Sequence, residues 1–216
     1  MAEKKLSPAD EFDKALAARA PDFGVTLTDE ARAALRAYFE LVSAWNPRLH
    51  LVAPCPPAEF AARHVLESLL ALPFLGAGGK LVDVGSGAGL PAIPCLVARP
   101  DLRAVLFESS QKKSVFLREA LRKLGRRESA AVVARRFEET EPPAADFLTC
   151  RAVERFTEIL PELLSWASGV RTLLLFGGKR LREKLETASL SFEAVRVPET
   201  ERSFLFVVRR NLESQI

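Results

Sequence analysis

The stretch KLVDVGSGAGLP, residues 80–91, limits the possible folds of this chain more than any other part of it. Leu81-Val82-Asp83-Val84 has the apolar, β-branched character of a buried strand. It runs into a turn with glycines at 85, 87 and 89, and the apolar segment from Pro91 to Ala98 then reads as a helix. Glycine supplies positive φ and lets the backbone come close to a ligand. The first turn of the following helix offers that ligand unpaired N–H groups. Ala104 to Phe107 reads as the next strand, and Glu108 ends it nineteen residues beyond Gly89. In a doubly wound sheet the glycine turn and the acid meet at the carboxyl edge, where a carboxylate can accept hydrogen bonds from ribose hydroxyls.

The rest of the chain extends this pattern. Ala130–Val133, Phe147–Cys150 and Thr172–Phe176 read as further strands, with helices over Ser110–Leu124, Glu154–Ala167 and Arg180–Ala188. Glu193–Val197 and Phe204–Arg210 look like an antiparallel pair joined by a polar turn. Alternating strands and helices imply an α/β fold: a doubly wound, mostly parallel sheet ending in an antiparallel C-terminal hairpin. Residues 1–79 differ, because they read as helices throughout. Ser7-Pro8-Ala9-Asp10 starts one helix, and Thr28-Asp29-Glu30 starts a second whose apolar residues Leu35, Tyr38, Phe39 and Val42 share a face. A loop is expected from Asn46 to Pro57, where four prolines fall, and a third helix from Ala58 to Leu72. The expected organisation is an N-terminal helical extension, 1–79, on a ligand-binding core, 80–216.

Composition narrows the setting. The length suits one α/β domain with an extension, and the formal charge of +3 neither requires nor excludes a nucleic-acid partner. Cys55, Cys95 and Cys150 lie forty or more residues apart, which suggests neither a disulfide framework nor a metal site. The start lacks the apolar region of a signal peptide, and no apolar run is long enough to span a bilayer, so a cytoplasmic protein away from membranes is expected. From Lys112 to Glu128 there are seven cations, Lys112, Lys113, Arg118, Arg122, Lys123, Arg126 and Arg127, against Glu119 and Glu128. Arg135 and Arg136 follow. This reads either as an RNA-phosphate surface or as a solvated helix face.

Two cofactor classes use a strand, glycine turn and helix in this way. A dinucleotide site follows G-x-G-x-x-G and needs glycine where this chain has Leu90. The pattern here is D-x-G-x-G-x-G with Asp83 leading, which resembles motif I of the class I, Rossmann-like methyltransferases. In those enzymes the acid helps orient the methionyl part of S-adenosyl-L-methionine.

The likeness extends to one family. Gly-Ser-Gly-Ala-Gly-Leu-Pro-Ala-Ile-Pro (85–94) resembles the glycine loop of the bacterial rRNA small-subunit methyltransferase G family, also called glucose-inhibited division protein B. Trp45-Asn46-Pro47-Arg48-Leu49 is similar to its W-N-x-x-x-N-L stretch, and Arg63-His64-Val65-Leu66-Glu67-Ser68-Leu69 to its R-H-[IV]-x-D-S-L stretch. Lys112-Lys113, Phe116-Leu117 and Cys150-Arg151-Ala152-Val153 also match. His50 stands where the family has asparagine and Glu67 where it has aspartate. Gly177-Gly178 replaces the usual lysine-glycine, with Lys179 displaced.

The resemblance implies methyl transfer from S-adenosyl-L-methionine to N7 of a guanine in the 530 loop of 16S rRNA. The implied substrate is the RNA, the small ribosomal subunit or an assembly intermediate. Carried over by residue, the cofactor contacts are Gly85, Leu90, Phe137, Glu138 and Arg151, with Glu108 suited to the ribose on its own account. Arg151 is the expected catalytic residue, holding the cofactor or a flipped-out guanine in place. Arg63 and His64 read either as catalytic or as a helix-surface pair, and Trp45 as core packing. Two other functions fit parts of the sequence. One is a C5-cytosine RNA methyltransferase with Cys150 as nucleophile, and the other is an NAD(P)-dependent oxidoreductase.

Overall fold

A computed structural model describes residues 6–151 and 156–210. One sheet organises them, with strands β1 (Lys80–Val84), β2 (Arg103–Phe107), β3 (Ala130–Val133), β4 (Phe147–Arg151), β5 (Thr172–Gly177), β6 (Phe192–Arg196) and β7 (Phe204–Arg209). Their spatial order is β3-β2-β1-β4-β5-β7-β6. The first five pair in parallel, whereas β7 runs antiparallel to both β5 and β6. The expected hairpin is therefore present, and its second strand is the one inserted next to the parallel sheet. The order reverses at β1 and β4, the switch point where ligands bind in sheets of this kind.

The strands are apolar on both faces because both faces are covered. On β5, Leu173 and Leu175 enter one buried cluster while Leu174 and Phe176 enter the other. The face holding Leu174 and Phe176 is covered by α5 (Ala92–Ala98), α6 (Gln111–Lys123) and the N-terminal helices. These last are α1 (Pro8–Arg19), α2 (Asp29–Leu49), α3 (Pro57–Phe60) and α4 (Glu67–Leu69). Helices α7 (Phe156–Trp166) and α8 (Lys179–Thr187) lie across the other face. The expected start of α7 at Glu154, like Ala152-Val153 of the matched motif, lies outside the described residues.

The N-terminal helices share one continuous core with the sheet, in which Phe12, Leu35 and Tyr38 cluster with Ile93, Phe116 and Leu205. Trp45 packs edge-on against Phe116, ring centroids 5.8 Å apart, which bears out its reading as packing. Local signals act where expected. Ser7 and Asp10 form a reciprocal capping box, and Thr28 and Ser110 cap α2 and α6.

Two local expectations need correcting. Helix α2 does not stop at Asn46 but continues through Pro47 to Leu49. Proline so near a helix end removes little from the hydrogen-bond ladder. The chain then turns at His50, whose φ is +48°, and the Asn46 side chain bonds both N–H and C=O of Val52 at 3.0 Å. The third helix is not uniform either: α3 and α4 are joined by a π-helical segment, Ala61–Leu66. Among the described residues no helix is long and apolar enough to cross a membrane.

Candidate functional site

Two clefts open at the carboxyl edge, on either side of the end of β4. The first, about 670 Å³, is lined by Val84, Gly85, Phe107, Arg135, Phe137, Glu138 and residues of α7. The glycine turn begins at its edge, where Gly85 lines it. Gly85, Gly87 and Gly89 all have positive φ, +72°, +53° and +90°. A Cβ at Gly89 would stand 2.3 Å from Ile93 Cδ1, so this glycine lets the turn pack against the next helix. The N–H groups of Gly85 and Ser86 both reach the Phe107 carbonyl at 3.0 Å, tying the turn to the end of β2.

Glu108 holds this turn from the other side, accepting from Gly87 N–H and Ser110 N–H, each at 2.8 Å. Asp83 lies beneath, fully buried and directly opposite Thr149 in the β1–β4 register. Thr149 donates to Asp83 Oδ1 at 2.6 Å, while Oδ2 is buried with no hydrogen-bond partner. Burial pushes the Asp83 carboxyl up to about 7, against the hydrogen bonds from Ser86 and Thr149. From the helical layer, the buried Tyr38 hydroxyl donates to the Ala88 carbonyl within the glycine turn at 2.8 Å. Neither Thr149 nor Tyr38 stood out in the sequence, where each looks like an ordinary strand or helix residue.

The second cleft, about 790 Å³, lies between the N-terminal helices and the ends of β4 and β5. Arg151, Glu67, Arg63, Phe176, Gly177 and Gly178 line it. Successive strand residues face opposite ways, so Cys150 and Arg151 part company. Cys150 enters the buried cluster with Val84 and Leu175, its accessibility is 0%, and burial raises its thiol pKa well above the usual value. Arg151 turns to the N-terminal helices. Its guanidinium donates to the carbonyls of Arg63 and His64 and to Ser68 Oγ, and it pairs with Glu67 at 3.4 Å. It also lies 5.7 Å from the centre of the Phe176 ring.

The proposed site residues therefore separate. Gly85, Phe137 and Glu138 line the first cleft and Glu108 anchors its turn. Leu90 is buried in the core behind the turn, and Arg151 belongs to the second cleft. Arg63 is exposed and bonded to Glu59 at 2.6 Å. His64 packs against the Phe60 ring, and burial together with Arg151 and Arg63 pushes its imidazole down to about 4, so it is neutral near pH 7. Lys179 is exposed and faces Glu183 at 3.7 Å. The Glu67–Arg151 pair and Ser68 were missed as a unit. The signal available was spacing, since Arg63, His64, Glu67 and Ser68 fall one helical turn apart.

A family model for rRNA small subunit methyltransferase G matches residues 31–212. The chain belongs to that family. It is 37% identical to the ribosomal RNA small subunit methyltransferase G of Sorangium cellulosum over 191 residues, 85% of this chain and 78% of that protein. Similarity to the protein of the same name from Nitrosospira multiformis is 41% identity over 133 residues, 62% of this chain and 59% of that one. Among solved structures, a tRNA methyltransferase of B. subtilis (TrmK) superposes with a TM-score of 0.55 at 15% identity, covering 67% of this chain and 65% of that chain. The 23S rRNA methyltransferase ErmE gives 0.52 at 18% identity over 68% of this chain and 67% of its own. These likenesses establish the Rossmann-like methyltransferase fold and leave no support for the oxidoreductase reading.

Proposed function

We propose that this rRNA methyltransferase transfers a methyl group from S-adenosyl-L-methionine to N7 of one guanine in 16S rRNA. The observation that carries the cofactor assignment is the first cleft. Gly85 lines it at the start of the glycine turn, Glu108 at the end of β2 holds that turn, and the neighbouring Asp83 Oδ2 is buried and orphaned. Gly85, Glu108, Phe137 and Glu138 would hold the cofactor there. When bound, its sulfonium supplies an electrophilic methyl group. Glu108 has lone pairs left beyond its two backbone partners for ribose hydroxyls, and the buried Phe137 provides an apolar wall for an adenine. Asp83 suits a cationic methionyl group, since ionisation of a buried carboxylate is favoured by an adjacent positive charge.

Guanine N7 carries a lone pair and no proton, so this chain needs no general base. Its task is to set N7 in line and keep water out. Both clefts open at the carboxyl edge of the sheet, one at the ends of β1 and β2 and the other at the ends of β4 and β5. In this reading a base held in the second cleft faces a group held in the first. N7 lies in the deep groove of A-form RNA, so an unstacked guanine is the expected form. Exposed Lys112, Arg118, Arg122, Lys123 and Arg127, with Arg135 and Arg136 at the rim of the first cleft, suit RNA phosphates. The buried Cys150 thiol disfavours the thiolate that C5-cytosine chemistry requires.

Mass mapping of methylated nucleotides in 16S rRNA from cells with and without this protein tests the assignment. One N7-methylguanine that disappears with the protein is the expected result. Loss of a 5-methylcytosine instead would replace it.

A further inference from the structure

Three acids, Glu59, Glu67 and Glu199, line the second cleft. Two of them are already engaged at its rim: Arg63 donates to Glu59 and Arg19 to Glu199. Glu67 sits deeper, with 13% of its side chain exposed. Among the described residues its one close partner is Arg151, at 3.4 Å, and no donor hydrogen-bonds to either of its oxygens. A carboxylate has room for about four hydrogen bonds, and leaving them unfilled in a buried site is costly.

Its surroundings keep it fixed, and burial raises its carboxyl above the usual range while the charges of Arg151 and Arg63 oppose that shift. The Glu67 N–H bonds to the Ala62 carbonyl, the five-residue step of the π-helical segment. Arg151 grips the same segment through the carbonyls of Arg63 and His64 and through Ser68 Oγ. Single π-turns of this sort are frequent at functional sites. Arg151 thus spends its donors on protein groups and acts as a positioning residue, whereas the acid it holds has acceptors unfilled among the described residues at the wall of the cavity.

We infer that Glu67 reads the target base, accepting hydrogen bonds from N1–H and the 2-amino group of the guanine. This rests on the guanine-N7 reading and names the group that selects guanine. Of the four bases, guanine alone presents two adjacent donors on its Watson–Crick edge, a match for two carboxylate oxygens. Adenine would set its N1 lone pair against the charge. Reading that edge also leaves N7, on the opposite edge, free to face the first cleft. Sites that hydrogen-bond a substrate group discriminate strongly against analogues lacking it, because the buried acceptor is then unpaired.

The test uses small subunits reconstituted with 16S rRNA carrying guanine or inosine at the methylated position. Inosine keeps N7, O6 and N1–H but lacks the 2-amino group. Single-turnover methyl transfer by the wild-type enzyme is expected to fall roughly 10- to 100-fold on inosine, the effect of one lost hydrogen bond to a charged group. Glu67→Gln should lose at least about tenfold on guanine and show a guanine-to-inosine preference within about twofold. Its cofactor affinity should stay near wild type when assayed below an unfolding midpoint lowered by the unpaired Arg151 charge, and Glu67→Asp should restore part of the preference. A fold defect alone would not change that ratio. Equal wild-type rates on the two substrates, or an unchanged preference in Glu67→Gln, would overturn the inference. A wild-type enzyme that leaves N7 of guanine itself unmethylated would overturn the guanine-N7 reading with it.

Discussion

The two clefts flank the same strand end, yet they are built on opposite terms. The first is made of backbone: a glycine turn, N–H groups fixed by Phe107 and Glu108, and an acid under the turn. The second is made of side chains from distant segments, with Arg151 reaching across 83 residues to Ser68 and 88 to the Arg63 carbonyl. Backbone sites demand particular residues at fixed local spacing and so leave a mark in sequence. A side-chain site assembled across the fold demands only that the right groups meet.

If the clefts are separate in function as in structure, damage to one should spare the other. The largest effect is expected from Gly85→Val. Its φ of +72° excludes a β-branched residue without strain, and the side chain would stand at the edge of the first cleft. Calorimetry should detect no S-adenosyl-L-methionine binding, whereas Glu108→Ala should weaken it by about 1–3 kcal/mol. Unchanged affinity in both variants would remove the cofactor from this cleft.

Arg151→Ala sharpens the comparison from the other side. Removing one partner of a buried pair leaves an uncompensated charge and costs about 3–5 kcal/mol of stability. Most methyl transfer should vanish while the protein, assayed below its lowered unfolding midpoint, still binds cofactor. Cofactor affinity lost along with activity would merge the two clefts into one.

Asp83→Asn is expected to act through pH. The unfolded carboxyl ionises in the ordinary range, whereas burial raises the folded value to about 7. A group raised in this way contributes most in acid, and its contribution falls as pH rises from roughly 4 to 7. The unfolding midpoint of Asp83→Asn, measured against wild type, should therefore climb across that window, with cofactor binding weakened. A flat difference would mean that Asp83 is not the buried acid described.

The smallest effect is expected at Cys150. Cys150→Ser should retain most methyl transfer and trap no covalent RNA adduct on denaturing gels. An inactive variant that folds and binds cofactor would bring back the cytosine chemistry.

The same contrast explains what was legible beforehand. Strand and helix positions from Leu81 to Arg209 followed from apolar runs broken by glycine and polar turns, and the caps at Ser7, Thr28 and Ser110 from local chemistry. Gly85 and Glu108 are marked by a turn and a strand end, whereas Phe137 and Glu138 followed from resemblance alone. Leu90 and Arg151 were grouped with them by resemblance, and the fold sends the first into the core and the second to the other cleft. The π-helical segment could not be read, because inserting one residue into a helical turn leaves no periodic trace over so short a span. The path through Pro47 was hidden for a related reason: Asn46 supports it by bonds to Val52, beyond the helix.

The order of strands has a consequence for how the chain is made. Strand β6 touches the sheet only through β7, which lies between it and β5. As the nascent chain emerges from its N-terminus, β6 appears first and has no edge to join. The face that carries Phe206 and Val208 against α7 and α8 also stays open until β7 arrives. Synthesis must thus pass Arg209 before the sheet can close, so a ribosome that stalls earlier releases a chain with an unpaired β5 edge, the kind of surface that invites aggregation.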